Sequence, residues 1–145
     1  MPLTTSGALL TIIGAVVLLV SGCDTFAPGR THFAEPRLYA HDFFASFEEC
    51  EAAQPDPGFW INCSQTAAFC PGGRVELMLT DIVHRGTYRV EGRRVTLRFT
   101  DNPEVESRVV FSLSPDEQSM DHHPSGTRWT RKRGEEAVLA ESTCT

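Results

Sequence analysis

The chain has 145 residues, 41% apolar and 22% charged, with 11 Gly and 9 Pro. That is enough for one domain, and the composition excludes disordered, collagen-like and coiled-coil readings. Residues 1–22 carry no Lys, Arg, Asp or Glu, so the net charge of −6 belongs to residues 23–145. On that balance nucleic-acid binding is not expected, because it needs a basic face.

In chain order, the first element is the apolar run of residues 8–20, Ala-Leu-Leu-Thr-Ile-Ile-Gly-Ala-Val-Val-Leu-Leu-Val. It has the length of a signal-peptide apolar region and is shorter than the roughly 20 residues that span a bilayer. Small residues follow at once: Ser21, Gly22, then Cys23. The stretch Leu19-Val20-Ser21-Gly22-Cys23 resembles a bacterial lipobox. In that family the cysteine thiol is lipidated and the chain is cut just before it. One departure is that Met1–Gly7 has no Lys or Arg, so only the α-amino group is positive there.

The resemblance implies a signal peptide over 1–22 and lipidation at Cys23. It also implies a protein held by acyl chains, palmitate among them, to the extracytoplasmic side of a bacterial membrane, facing periplasm or cell surface. At about 0.8 kcal/mol per buried CH₂, more than one chain anchors stably. Asp24 resembles an inner-membrane retention signal of enteric bacteria.

Export places the remaining cysteines, Cys50, Cys63, Cys70 and Cys144, in an oxidising compartment, where an even number fits a two-disulfide framework. The preferred pairing is Cys63–Cys70 with Cys50–Cys144. The alternative is Cys50–Cys63 with Cys70–Cys144. No CxxC pair suggests a metal site, and no cysteine has sequence neighbours that would activate its thiol.

Residues 23–37, with Pro28, Gly29 and Pro36, are expected to form a tether between lipid and fold, leaving 38–145 as a single disulfide-bonded β domain. Residues 38–54 fit either a short helix, capped by Asp42 and presenting Phe43, Phe44, Phe47 and Cys50 on one side, or a short strand; the helix is favoured. Pro55-Asp56-Pro57-Gly58 is a turn. From residue 59 onward the period is two. Phe59-Trp60-Ile61 is a candidate strand. Val75, Leu77 and Leu79 alternate with polar residues after the Pro71-Gly72-Gly73 turn. Tyr88 and Val90 follow Gly86, and Val95, Leu97 and Phe99 follow the Gly92-Arg93 turn. Val109, Phe111 and Leu113 come next, then a turn at Ser114–Glu117 and a last strand around Trp129. Alternation broken by turns predicts an antiparallel meander of five or six strands, apolar on one face and Arg/Thr-rich on the other. Such a sheet closes or half-closes into a small barrel.

The stretches Phe69–Val75 and Gly86–Leu97, with Phe111-Ser112-Leu113-Ser114 and Gly126-Thr127-Arg128-Trp129, resemble lipocalin-like small bacterial lipoproteins over about residues 58–133. Gly58-Phe59-Trp60 also matches the Gly-x-Trp of lipocalins, in which an Arg such as Arg131 packs over the Trp. The resemblance implies a lipocalin-like β-barrel with Trp60, Tyr88 and Trp129 as possible ligand-facing residues toward a small apolar ligand.

Three polar groups carry candidate chemistry. Asp121-His122-His123-Pro124 can supply ligands to copper or zinc if His84 or another group converges, but reads first as a solvated loop, and no metal is assigned. Arg89, Arg93, Arg94, Arg98 and Arg108 fall mostly on one sheet face. They suit an anionic partner such as lipid head groups or an acidic protein, or form a wet face balanced by Glu91, Glu104 and Glu106. No Ser–His–Asp order, HExxH, P-loop or Gly-x-Ser-x-Gly occurs, so no catalytic residue and no cofactor is expected.

The leading expectation is a lipid-anchored, non-catalytic binding or structural barrel at the cell envelope. Its expected partners are the membrane, through the lipid, and a small apolar ligand or an envelope protein. The alternative is an envelope inhibitor or protein-interaction module. Ser125-Gly126 before Trp129 resembles the loop that lysozyme-inhibiting lipoproteins insert into their target. A carrier buries a small molecule; an inhibitor presents a loop and has a filled core.

Overall fold

In the computed structural model, residues 30–55, 61–100 and 108–145 are described. The alternating segments form strands β1 (Arg37–Asp42), β2 (Ser64–Phe69), β3 (Arg74–Met78), β4 (Val83–Glu91), β5 (Arg94–Phe99), β6 (Arg108–Leu113), β7 (Ser119–His123) and β8 (Arg128–Lys132). Each pairs antiparallel with the next, and β1 pairs with β8, so the sheet closes into an eight-stranded up-and-down barrel. Closure leaves no free strand edge. The expected fold class, mainly β with a meander closing into a small barrel, is what the chain adopts; the strand number is eight rather than five or six.

The alternation predicted for β3 to β6 directs Val75, Leu77, Tyr88, Val95, Leu97 and Phe111 inward, all buried. Three elements differ from expectation. Residues 37–42 form a strand where a helix was favoured, because Tyr39 fills the barrel while Leu38 and Ala40 are buried on the outer side. Burial on both faces removes the period-two signal. The expected cap, Asp42, ends β1 and takes Lys132 Nζ at 2.8 Å. The helix that does form, α1 (Phe47–Ala52), is capped by Ser46, whose hydroxyl accepts from Glu49 N at 3.2 Å.

Strand β2, Ser-Gln-Thr-Ala-Ala-Phe, gave no strand signal. Its Ala67 and Phe69 face the core, while Ala68 packs with Leu38 under Ala140 of the C-terminal helix α2 (Val138–Thr143). Strand β7 contains the His pair that was read as a loop. The candidate strand at Phe59-Trp60 and the break at Asn102-Pro103 lie outside the described residues.

The disulfides are Cys50–Cys63 and Cys70–Cys144. This corrects the preferred pairing and selects the alternative. Cys50 is the buried residue of α1, and its bond ties that helix to the chain entering β2. Cys144 ends α2, which lies across the outside of β1 and β2, so its reachable partner is Cys70 at the end of β2.

Residues 30–36, expected within the tether, instead cross one end of the barrel. Thr31 O accepts from Val90 N at 2.8 Å, and Phe33 is 1% exposed with its ring inside. Cys23 and the segment expected to be a signal peptide lie outside the described residues.

Candidate functional site

The barrel interior is built from interlocked rings. Phe33 stacks on Tyr88 with centroids 5.5 Å apart and meets Phe69 edge-on at 5.4 Å; Phe69 meets Tyr88 at 4.9 Å. The Tyr88 hydroxyl accepts from Phe33 N and donates to Cys70 O, both at 3.0 Å. Trp129 packs edge-on to Phe111 at 5.4 Å and is 3% exposed. Tyr88 and Trp129, expected to face a ligand, are thus members of the packed core, and Tyr88 spends both hydrogen-bonding functions on backbone. Trp60 lies outside the described residues. An eight-stranded barrel has an interior that its side chains can fill or that can hold one small ligand.

The end crossed by residues 30–36 is closed by a charged latch. Glu117, in the β6–β7 turn, accepts a hydrogen bond from Arg37 and is ion-paired with Arg30 at 2.8 Å. The Arg37 guanidinium lies over the Phe33 ring, 4.3 Å from its centroid, and Tyr39 donates to Glu117 O at 2.9 Å. Burial alone would push the Glu117 carboxyl up, but the hydrogen bonds from Arg37 and Arg30 outweigh it and hold the carboxyl below its usual range. Burial pushes the hydroxyls of Tyr39 and Tyr88 up, keeping both protonated as donors. These groups close the barrel and do not point to a reaction.

The histidines do not converge. In a strand, neighbouring side chains point to opposite faces. His122 lies against Phe111 and contacts Ser125 Oγ at 2.7 Å, while His123 reaches Ser112 Oγ on the outer face at 2.6 Å. Asp121 is paired with Arg128 at 2.9 Å. His84 is buried in β4 opposite Leu77, and no group of three or more metal-ligating side chains gathers among the described residues. The Ser112–His123 contact places a hydroxyl on an imidazole, as nucleophilic catalysis requires. Among the described residues, however, no carboxylate is hydrogen-bonded to the second ring nitrogen to orient it. Ser125 Oγ also engages Thr127 Oγ1 at 2.9 Å and Thr127 N at 3.3 Å, so this hydroxyl is held within its own turn.

The arginines, in contrast, are brought together. Strand pairing sets Arg98 opposite both Thr87 and Arg108, Arg89 opposite Thr96, and Arg94 opposite both Glu91 and Ser112. Arg89, Arg94, Arg98 and Arg108 therefore share the outer face of β4–β6, all exposed. None has an ion pair or side-chain hydrogen bond among the described residues. Arg93, in the β4–β5 turn, donates to Leu113 O at 2.7 Å. Two open grooves run over this face. One, of about 450 Å³, is lined by His32, Arg89, Arg98 and Arg108 among others; the other, of about 630 Å³, by Arg93, Arg94, Arg108, Ser112 and His123 among others. Glu91 is the one acid lining either groove among the described residues. Sequence alternation placed these arginines on one face, but the absence of partners and the grooves come from the sheet's curvature and register. Arg131, expected over Trp60, lies in β8 and pairs with Tyr39 in the ladder.

Exposed apolar side chains gather elsewhere. Phe43, Ile82 and Val83 sit toward the end of the barrel opposite the latch, and Val138 and Leu139 lie on α2. No helix among the described residues is long and apolar enough to cross a membrane. Compared with protein-family models, curated proteins and solved structures, the chain matches none.

Proposed function

We propose that this chain is a lipid-anchored, lipocalin-like lipoprotein of the bacterial cell envelope, and that its barrel is a non-catalytic binding module working through its outer surface. The observation that carries this reading is the packing of Phe33, Phe69 and Tyr88. A ring supplied by the segment ahead of β1 stoppers the barrel and occupies the volume a carried ligand needs. The lipobox-like Leu19–Cys23 supports the anchor. The engagement of Cys50, Cys63, Cys70 and Cys144 in two disulfides supports an oxidising, extracytoplasmic location.

The test is a native mass spectrum of the protein extracted gently from its own membrane. The expected mass begins at Cys23, includes acyl chains and lacks four hydrogens for the two disulfides. An unmodified Cys23 overturns the anchor. A small apolar molecule retained in the barrel overturns outer-surface binding.

The second reading, a lysozyme-inhibitor-like module, gains from the filled core and loses from the Ser125 hydroxyl being held within its turn. Unchanged lysozyme activity at micromolar excess of the protein sinks it.

A further inference from the structure

We propose that the arginine face of β4–β6 docks on anionic phospholipid head groups of the membrane that carries the anchor. The inference rests on the lipid-anchor reading above and deepens it by assigning the surface and its partner. Three observations converge on it. Arg89, Arg94, Arg98 and Arg108 are exposed, share one outer face and have no ion pair among the described residues. This cationic face belongs to a chain of net charge −6, so positive charge is gathered here against the overall balance.

The second observation is the groove of about 630 Å³, where guanidinium groups stand beside Ser112 and His123. Arginine forks match phosphate oxygens bidentately, and Ser112 and His123, hydrogen-bonded to each other, border the same groove. Glu91, opposite Arg94, is the one acid lining either groove among the described residues.

The third is where the chain enters the barrel. Thr31 pairs with Val90 in β4, and His32 lines the groove that also holds Arg89, Arg98 and Arg108. The route from Cys23 therefore arrives at the edge of the arginine face. Seven residues, 24–30, lie between Cys23 and Thr31, eight Cα–Cα steps in all. However they are arranged, they span at most about 29 Å. The anchor thus keeps the entry to this face within about 29 Å of the acylated residue, a reach that includes direct contact with the bilayer, where screening over a Debye length of about 8 Å does not weaken the attraction. An acidic protein would suit the charge, but nothing in the chain's path holds one there.

The full chain, purified with its anchor, is reconstituted into vesicles of phosphatidylcholine alone or with about a third phosphatidylglycerol. Arginines are modified with phenylglyoxal and mapped by peptide mass. Arg89, Arg94, Arg98 and Arg108 are expected to react about fivefold less on the anionic vesicles, with recovery in high salt. Arg128, on β8 and 68% exposed, reports background reactivity and is expected to be unchanged. The variant Arg94→Gln/Arg98→Gln/Arg108→Gln, altered only at exposed positions, is expected to lose the protection of Arg89. Equal modification on the two vesicle types overturns the proposal, as does protection of Arg89 that survives the triple substitution. Intact mass of the same sample reports the anchor separately. If Cys23 is unmodified the anchor reading fails, and the footprint of that protein added to preformed vesicles decides the face by the same criteria.

Discussion

The backbone N–H of Phe33 donates to the hydroxyl of Tyr88 at 3.0 Å, and that hydroxyl donates to Cys70 O at the same distance. One buried phenol thereby joins the segment ahead of β1, the interior of β4 and the end of β2. The ring that stoppers the barrel is held by the ring it stacks on. Tyr88→Phe keeps the packing and leaves the Phe33 N–H unpaired, at about 1–3 kcal/mol before relaxation, while Cys70 O keeps its bond from Gly73 N. Thermal unfolding is expected to shift down on the order of 10 °C, with faster exchange of the Phe33 amide. A melting temperature equal to wild type would falsify the tie.

Glu117 closes the same end through Arg30 and Arg37, and its backbone is in the left-handed region, φ +58°. Because its carboxyl is held below its usual range when folded, the unfolded chain binds that proton more tightly. The latch therefore contributes fully above the unfolded value of about 4.3, and its contribution is lost as pH falls through the lower folded value. Glu117→Gln is expected to cost about 1–2 kcal/mol at neutral pH, discounted for partial exposure. The gap between wild-type and variant melting temperatures should close as the solution is acidified; a pH-independent gap rules the latch out.

Gly86 sits in β4 opposite Phe99. A Cβ there would run into Arg98 O and come within 2.7 Å of the Phe99 ring. Because the first obstacle is backbone, side-chain rotation does not relieve it. Gly86→Ala is expected to destabilise by about 2 kcal/mol, measured as a lower urea midpoint. An unchanged midpoint would show that the strands part freely at this position.

The two disulfides close loops of different length, with sequence separations of 74 for Cys70–Cys144 and 13 for Cys50–Cys63. The chain-entropy relation gives about 4.5 and about 3 kcal/mol. Replacing Cys70 and Cys144 together by Ala should therefore lower stability more than replacing Cys50 and Cys63. Denaturant titration of both pairs checks the order, and non-reducing peptide mapping checks the pairing.

Strands β3 to β6 were legible because each has one wet face, so Val95, Leu97 and Phe99 alternate cleanly with Arg94, Thr96 and Arg98. β1 and β2 were not, because α2 covers their outer side. Leu38 and Ala68 are buried outside while Tyr39 and Ala67 are buried inside, and period two disappears. β7 was missed because Met120 is its one fully inward anchor and its end carries Asp121, His122 and His123. The arginine face was legible as a row; that its members have no ion pair among the described residues depends on strand register, which no local pattern carries.

From sequence alone came an acidic chain, a lipobox-like leader, four cysteines to be paired and a meander with one apolar face. These are local properties, set by residue type and a period of two. Tertiary structure decided that eight strands close, that Cys70 meets Cys144, and that Phe33, from the segment ahead of β1, joins the barrel core. Each depends on which distant segments come together, and that is set by the geometry of closure, which no local period carries.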